Sequence, residues 1–135
     1  MIMGIGIDAV EIKRFELWST FSKKKLLKIF SEHEIDYCLE IPAKSAERFA
    51  ARFASREAFF KAFCQMAPDH KIPFLSLCKL ITIQFNPKGA PKLNVDWPSL
   101  CTESKIKIDY IPQICLSITH TEKQATSIVI VEKTN

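Results

Sequence analysis

The sequence predicts an α+β fold in which a mostly antiparallel sheet packs against one long helix. An apolar strand pattern opens the chain, one long segment has helical periodicity, and short strand patterns with short links fill the C-terminal half. Strands that follow the helices, rather than alternating with them, favour antiparallel over parallel pairing.

The N-terminal half is predicted to contain one strand and three helical segments. Ser31 and Glu34 stand three residues apart, which is the pattern of a capping box, so a short helix should begin there and be interrupted by Pro42. The other predicted elements are a strand at 2–10 and helices at 13–30 and 46–67.

Four strands are predicted in the second half of the chain. The segment 86–93, NPKGAPKL, is rich in Pro and Gly and should form a hairpin turn. The segment 97–105 fits neither pattern clearly. The predicted strands lie at 75–85, 106–111, 114–119 and 126–131.

Size and composition favour one globular domain over residues 1–135, with 47% hydrophobic and 25% charged residues. No apolar run reaches the roughly 20 residues of a membrane span, and the N-terminal run does not fit a signal peptide. Five scattered cysteines fit neither a disulfide framework nor a zinc site, so we expect reduced thiols and a cytoplasmic protein. The net charge of +4 suits an acidic or phosphorylated partner.

The long helix carries three distinct rows of side chains when it is stepped at about 100° per residue. One row is apolar (Phe49, Phe53, Phe60 and Cys64), one is small (Ala51, Ala54, Ala58 and Ala62), and one is basic (Arg48, Arg52 and Arg56). The alanine row should let another element approach the helix closely.

Glu57 is misplaced, because it lies at the edge of the apolar row. It could form a surface pair with Lys61, one turn later. An acid between two buried faces needs a stronger partner, and a metal ion is one such partner.

Asp8 presents a similar problem in the opening strand. With a period of two, Asp8 shares a face with Gly4 and Gly6, and glycine in a strand often marks close approach by a backbone or a ligand. Glu11 lies on the other face. Two carboxylates with lysine nearby suit Mg²⁺ holding a phosphate, although Asp8 could instead cap a turn.

Five segments of the chain resemble, in order, the motifs of the bacterial holo-acyl-carrier-protein synthases, which are short 4′-phosphopantetheinyl transferases. GIGIDAVEI resembles their Gly-x-Asp-x-Val-Glu opening, and FSEHEIDYC their Phe-Thr-x-x-Glu-x-x-Tyr segment. RFASREAFFKAF resembles their central helix, NPKGAPKL their Gly-x-Pro turn, and LSITHTEKQAT their Ser-Ile-Ser-His strand end.

The resemblance implies the 4′-phosphopantetheinyl transferase fold and a magnesium-dependent reaction. The group moves from coenzyme A to a serine of apo-acyl carrier protein, which supports fatty acid biosynthesis, and adenosine 3′,5′-bisphosphate leaves. A homotrimer with active sites at subunit clefts is implied as well. No nucleic-acid or membrane partner is expected.

Site residues are carried over by matched position. The resemblance assigns Mg²⁺ to Asp8 and Glu57 and the pyrophosphate to Lys61. The coenzyme A contacts fall on His120, Arg48 and Arg52. The two arginines could instead meet the carrier protein or solvent, and His120 could instead be a hydrogen-bonded loop residue. The base would be Glu57 or a metal-bound water that it orients.

The basic segment after the opening strand would steer an acidic carrier protein to the site through Arg14, Lys24 and Lys28. A solvated lysine-rich face is the alternative for each lysine.

Two positions depart from the family pattern. Arg56 replaces the usual lysine before the glutamate, and its rigid guanidinium is not equivalent to an ammonium. The family's Gly-Thr-Gly is replaced by Cys64, Gln65 and Met66, so we expect weaker binding of coenzyme A. A non-catalytic binding module of the same fold is therefore the alternative, whereas a nucleic-acid binder lacks a motif.

Overall fold

A computed structural model describes residues 1–135. The strands are β1 (Ile2–Glu11), β2 (Ile81–Phe85), β3 (Pro91–Val95), β4 (Gln113–His120) and β5 (Gln124–Glu132). The α-helices are α1 (Lys23–Leu26), α2 (Glu32–Glu40), α3 (Ser45–Met66), α4 (Phe74–Cys78) and α5 (Trp97–Ser104). Single 3₁₀ turns occupy Ile12–Phe15, Trp18–Thr20 and Pro42–Lys44.

The strands form two antiparallel sheets around α3. Three strands pair in the order β1-β5-β4, and β2 pairs with β3 as a separate hairpin. In the larger sheet, Ile7 lies opposite Ile128 and Asp8 lies opposite Ser127. The predicted α+β fold, with a mostly antiparallel sheet on one long helix, is confirmed.

β1 packs against α3 by direct backbone contact. A Cβ atom added to Gly4 or Gly6 would come closer than 3.0 Å to the backbone of Ala62 or Ala58, respectively. Neither glycine therefore tolerates a side chain, which explains both the glycines and the alanine row. Asp8 follows two residues later on the same face of β1.

The core has two parts, one at each end of α3. Near the C-terminal end of α3, Phe59 and Phe63 pack with β2, β3, β5 and α5. Near its N-terminal end, Phe49 and Phe53 pack with Phe15 and with the residues of α1 and α2. α3 is thus buried along most of its length and has few solvent-exposed side chains.

Several predicted elements are confirmed within one or two residues. The opening strand, the long helix, the hairpin and the last two strands all form. Ser31 caps α2, since its hydroxyl accepts from Glu34 N–H while Glu34 accepts from Ser31 N–H.

The prediction of one helix over 13–30 is wrong. Phe15 is buried and Trp18 packs against Phe49 and Phe53, so the chain must turn to bring these rings onto α3. Ser22 then adopts extended backbone and caps α1 by accepting from Lys25 N–H, which restarts the helix.

Two strand predictions also need correction. The first half of 75–85 is helical, because α4 begins after Pro73 and buries Leu77 and Cys78 on one side. Residues 106–111 belong to no strand; only Ile106 of this apolar segment packs on the core. The ambiguous segment 97–105 is mostly α5, capped by Asp96.

All five cysteines are free thiols. Burial raises the pKa of Cys38 and of Cys78 to about 12, so these two act as small apolar side chains. None of the helices combines the length and apolar character that crossing a membrane requires.

Replacing Gly6 by Ala should destabilise the protein by about 3 kcal/mol, because the new methyl group would push α3 away from β1. Gly89→Ala is the control. Gly89 has φ of +82° but nothing within 4 Å of an added Cβ, so only about 1 kcal/mol of backbone strain is expected there. Urea unfolding measures both changes, and equal losses would contradict the close contact.

Candidate active site

Asp8 and Lys61, distant in sequence, meet where β1 crosses α3. The Lys61 ammonium donates to the Asp8 carboxylate at 3.0 Å and to the Ile7 carbonyl oxygen at 2.8 Å. The Asp8 side chain is mostly buried, whereas half of the Lys61 side chain is exposed. This ion pair therefore faces solvent through its lysine.

Glu57 lies beside this pair. Burial raises the pKa of the Glu57 carboxyl, and the Asp8 carboxylate raises it further, while Lys61 and Arg14 oppose the shift. The suggested surface pair between Glu57 and Lys61 is wrong, because Lys61 turns to Asp8 instead. Glu57 is left half-buried with an acidic neighbour, an arrangement that a cation would stabilise.

A cavity of about 890 Å³ opens beside these residues. Glu57, Lys61, Cys64 and Gln65 line one wall, and Ile5, Gly6 and Ile7 of β1 line another. Cys64, Gln65 and Met66 remain helical, because α3 runs to Met66 without a glycine turn. The departure from the family pattern thus lies at the wall of the candidate site.

The predicted basic row of α3 does not form a solvated face. Arg48 is partly exposed, Arg52 is 3% exposed and Arg56 is fully buried. The three side chains consequently have different roles.

Arg56 forms a buried ion pair with Glu34 of α2. Its two terminal nitrogens donate to the Glu34 carboxylate oxygens at 2.9 and 2.6 Å. It also donates to the carbonyl oxygens of Cys78 and Ile81. Arg56 therefore joins α2, α3 and β2 and does not line the 890 Å³ cavity, although it is adjacent to Glu57 in sequence.

Arg48, Arg52 and His120 meet at a second cavity of about 260 Å³, which Lys44 also lines. The guanidinium of Arg48 lies 3.9 Å from the ring centroid of Tyr37, and that of Arg52 lies 4.6 Å from it. Arg52 Nε is buried without a hydrogen bond, and Glu34 Oε2 lies 3.8 Å from it. Lys44, Arg48 and Arg52 outnumber the one carboxylate of this lining, Glu47, so the cavity suits an anionic ligand.

Sequence reasoning missed three residues of the second cavity. Tyr37 supports both arginines, Lys44 adds a charge, and Glu47 lies 3.3 Å from His120 through Oε1 and Nε2. Tyr37 stands one helical turn after Glu34 in the motif FSEHEIDYC, and this motif position could have identified it as a site residue. Lys44 and Glu47 flank the start of the long helix and carried no separate signal.

The basic segment is divided between two environments. Arg14 lies over the Phe53 ring at 5.0 Å and is near enough to Glu57 to lower the pKa of that carboxyl. Lys24 and Lys28 are exposed, on and just after α1. Arg14 therefore borders the candidate site, and the two lysines lie on the surface.

Comparison with known proteins identifies the family. The sequence pattern of the 4′-phosphopantetheinyl transferase superfamily matches residues 4–128. The chain belongs to this superfamily, a family of enzymes, and the predicted resemblance is confirmed.

Relatives and solved structures agree with this assignment. The chain is 35% identical to the holo-[acyl-carrier-protein] synthase of Syntrophus aciditrophicus over 133 residues, covering 98% of this chain and 97% of the relative. It is 33% identical to that of Treponema denticola, covering 98% and 99%. The Bacillus anthracis holo-(acyl-carrier-protein) synthase, solved in complex with CoA (3′,5′-ADP), matches with a TM-score of 0.71 and 26% identity over 99% of both chains.

Glu34→Gln should destabilise the protein by about 3 kcal/mol, because it leaves the buried Arg56 charge without its counterion. Glu32→Gln, two residues earlier on α2, removes only an exposed partner of Lys23 and should change stability by less than about 1 kcal/mol. Chemical denaturation of both variants measures the difference. Similar small changes would show that the Arg56–Glu34 pair does not hold α2 to α3.

Proposed function

We propose that this protein is a holo-acyl-carrier-protein synthase. It transfers 4′-phosphopantetheine from coenzyme A to a serine of apo-acyl carrier protein and supports fatty acid biosynthesis in the cytoplasm. Besides family membership, the observation that carries the proposal is that Asp8 pairs with Lys61 beside Glu57, and that Lys61 and Glu57 line one cavity.

The reaction exchanges the phosphoanhydride bond of coenzyme A for a phosphoester bond to serine. The serine oxygen attacks the phosphorus that carries pantetheine, and the bond from this phosphorus to the bridging oxygen breaks. Adenosine 3′,5′-bisphosphate leaves with that oxygen, and the serine loses its proton. Negative charge on the diphosphate and on the leaving group must be neutralised throughout.

Asp8 and Glu57 fit a magnesium site. Mg²⁺ typically takes one or two protein carboxylates and completes its shell with phosphate oxygens and water. Burial and the Asp8 carboxylate raise the pKa of Glu57, so a bound cation would stabilise its charged form. When bound, the cation would polarise the diphosphate and neutralise the developing charge.

The protein's own groups have separate tasks in this scheme. Lys61 is tethered to the Ile7 carbonyl and can turn its exposed ammonium from Asp8 toward the diphosphate. Glu57, or a water molecule that it orients, takes the serine proton. Burial suits Glu57 to this role because its raised pKa makes it a stronger base than an exposed glutamate.

The second cavity would bind the adenosine end of coenzyme A. Arg48, Arg52 and His120 line it together with Lys44. The guanidinium of Arg48, which is partly exposed, would donate to a phosphate group there. Both cavities open along α3, so one rigid helix would fix the two ends of the nucleotide. Cys64 and Met66 stand where the family has glycines, and we therefore expect weaker binding of coenzyme A.

The acidic carrier protein would dock on the basic segment. Lys24 and Lys28 would steer the encounter from the surface, and Arg14 would direct the carrier's serine toward Glu57. Leu17 in the same segment is 70% exposed and offers an apolar contact.

A homotrimer would cover the outer face of the larger sheet. Ile5 and Ile7 point away from α3 and are 45% and 58% exposed. Their cross-strand partners are Ile130 and Ile128, so the four side chains form one apolar patch. Exposed apolar patches of this kind mark interaction surfaces.

Ile7→Arg should abolish the trimer, because it places a charge in the centre of this patch. Light scattering should give three times the 15.4 kDa chain mass for the wild type and a smaller mass for the variant. Leu75→Arg, at an exposed position on α4, is the control and should leave the mass unchanged. A wild-type monomer, or a trimeric Ile7→Arg variant, would refute the interface.

Mass spectrometry of apo-acyl carrier protein tests the transfer itself. With coenzyme A and Mg²⁺, the carrier should gain the mass of one phosphopantetheine group. Asp8→Asn and Glu57→Gln should each lower the rate at least about 100-fold through lost charge stabilisation. Asp36→Asn, an exposed carboxylate on α2, is the control and should keep full activity.

Two results would contradict the assignment. Full activity in both site variants would refute the metal site. Binding of coenzyme A without any mass gain in the wild type would favour the non-catalytic module.

A further inference from the structure

The free edge of β1 is bonded to side chains of α3. β1 pairs with β5 on one side only, so the polar backbone groups of its other edge have no strand partner. Gln65 Oε1 accepts from Ile5 N–H at 2.9 Å, and the Lys61 ammonium donates to the Ile7 carbonyl oxygen at 2.8 Å. Two side chains from one helix therefore replace part of a strand ladder.

The spacing of these contacts follows from helix and strand geometry. Two residues of a strand advance about 6.7 Å, and four residues of a helix advance about 6 Å. α3 and β1 run in opposite directions, because Gly4 lies on Ala62 and Gly6 lies on Ala58. Moving from Gln65 to Lys61 on α3 thus matches moving from Ile5 to Ile7 on β1.

The same step leads from Lys61 to Glu57 and from Ile7 to Ala9, beside Asp8. Glu57, Lys61 and Gln65 therefore form one row along the β1 edge, and all three line the 890 Å³ cavity. Gln65 is the last residue of this row. It is uncharged, and its side chain hydrogen-bonds only to the backbone of β1.

We infer that Gln65 is a positioning residue, which holds β1 in register with α3 so that Asp8 stays opposite Lys61 and beside Glu57. The inference rests on the proposed function, since it concerns the two carboxylates of that site. Gln65 occupies one of the positions where the family has Gly-Thr-Gly. The hydrogen bond from Ile5 N–H to the Gln65 side chain is therefore a feature of this sequence, not of the family motif.

A purely local role for Gln65 would have different consequences. A single exposed hydrogen bond adds modestly to stability wherever it lies. Positioning predicts, in addition, that loss of the bond weakens the binding of Mg²⁺ by the free protein, although Gln65 itself does not contact the ion. It also predicts that the effects of Gln65 and Lys61 on stability do not add, since both hold the same edge.

The test compares Gln65→Met, which keeps the length of the side chain without an acceptor, with Gln65→Glu, which keeps the acceptor. Calorimetric titration with Mg²⁺ in the absence of substrate should show about five-fold weaker binding for Gln65→Met. Gln65→Glu should bind Mg²⁺ at least as well as the wild type. Gln113→Met, at an exposed position on β4, is the control and should leave binding unchanged.

Kinetics and unfolding provide the independent readouts. Gln65→Met should raise the Mg²⁺ concentration for half-maximal transfer by a similar factor and leave the KM for acyl carrier protein unchanged. Gln65→Met and Lys61→Met should destabilise the protein non-additively.

Unchanged Mg²⁺ binding in Gln65→Met, or equal weakening in Gln65→Met and Gln65→Glu, would overturn the positioning role. Failure of the wild type to bind Mg²⁺ would refute the proposed metal site instead. The unfolding measurements would then decide the register claim, and additive effects would overturn it.

Discussion

The structure depends on the direct packing of the β1 backbone against the α3 backbone. Gly4 and Gly6 allow this approach because they have no Cβ atom, and Ala62 and Ala58 present the facing surface. The contact fixes a strand and a helix that are more than 50 residues apart in sequence. Asp8 on one element and Glu57 and Lys61 on the other are brought together as a consequence, so the candidate site is a product of helix–strand register.

Charge is distributed along α3 according to burial. Arg56 is neutralised inside the protein by Glu34 and serves the fold. Arg48 and Arg52 line a cavity with Lys44 and His120, and their carboxylate neighbours, Glu40 and Glu34, lie at 3.4 and 3.8 Å. The negative charges of Asp8 and Glu57 are opposed by one nearby lysine, Lys61. Arg48 and Arg52 near the start of α3 could bind an anion, and Glu57 near its middle, with Asp8, could bind a cation. A nucleotide diphosphate that carries a divalent ion needs both kinds of site.

The sequence predicted those parts of the fold that depend on local periodicity or on residues with one strong preference. The glycines of β1, the capping box of Ser31 and the alanine row of α3 each have a local physical signature. The break in the segment 13–30 was missed because Phe15 and Trp18 turn the chain toward partners on α3. Of the site, the misplaced acids Asp8 and Glu57 were visible in sequence. The pairing of Arg56 with Glu34, and of Gln65 with the β1 edge, depends on tertiary contacts that helical spacing does not reveal.

Binding of Mg²⁺ by the carboxylate pair is the central claim, and a calorimetric titration of Asp8→Asn, Glu57→Gln and the double variant tests it most directly. The wild type should bind one Mg²⁺ per chain, and each single variant should lose most of this affinity. The double variant should be little worse than either, because both residues serve one ion. Binding that survives in either single variant at wild-type affinity would contradict a shared site between β1 and α3.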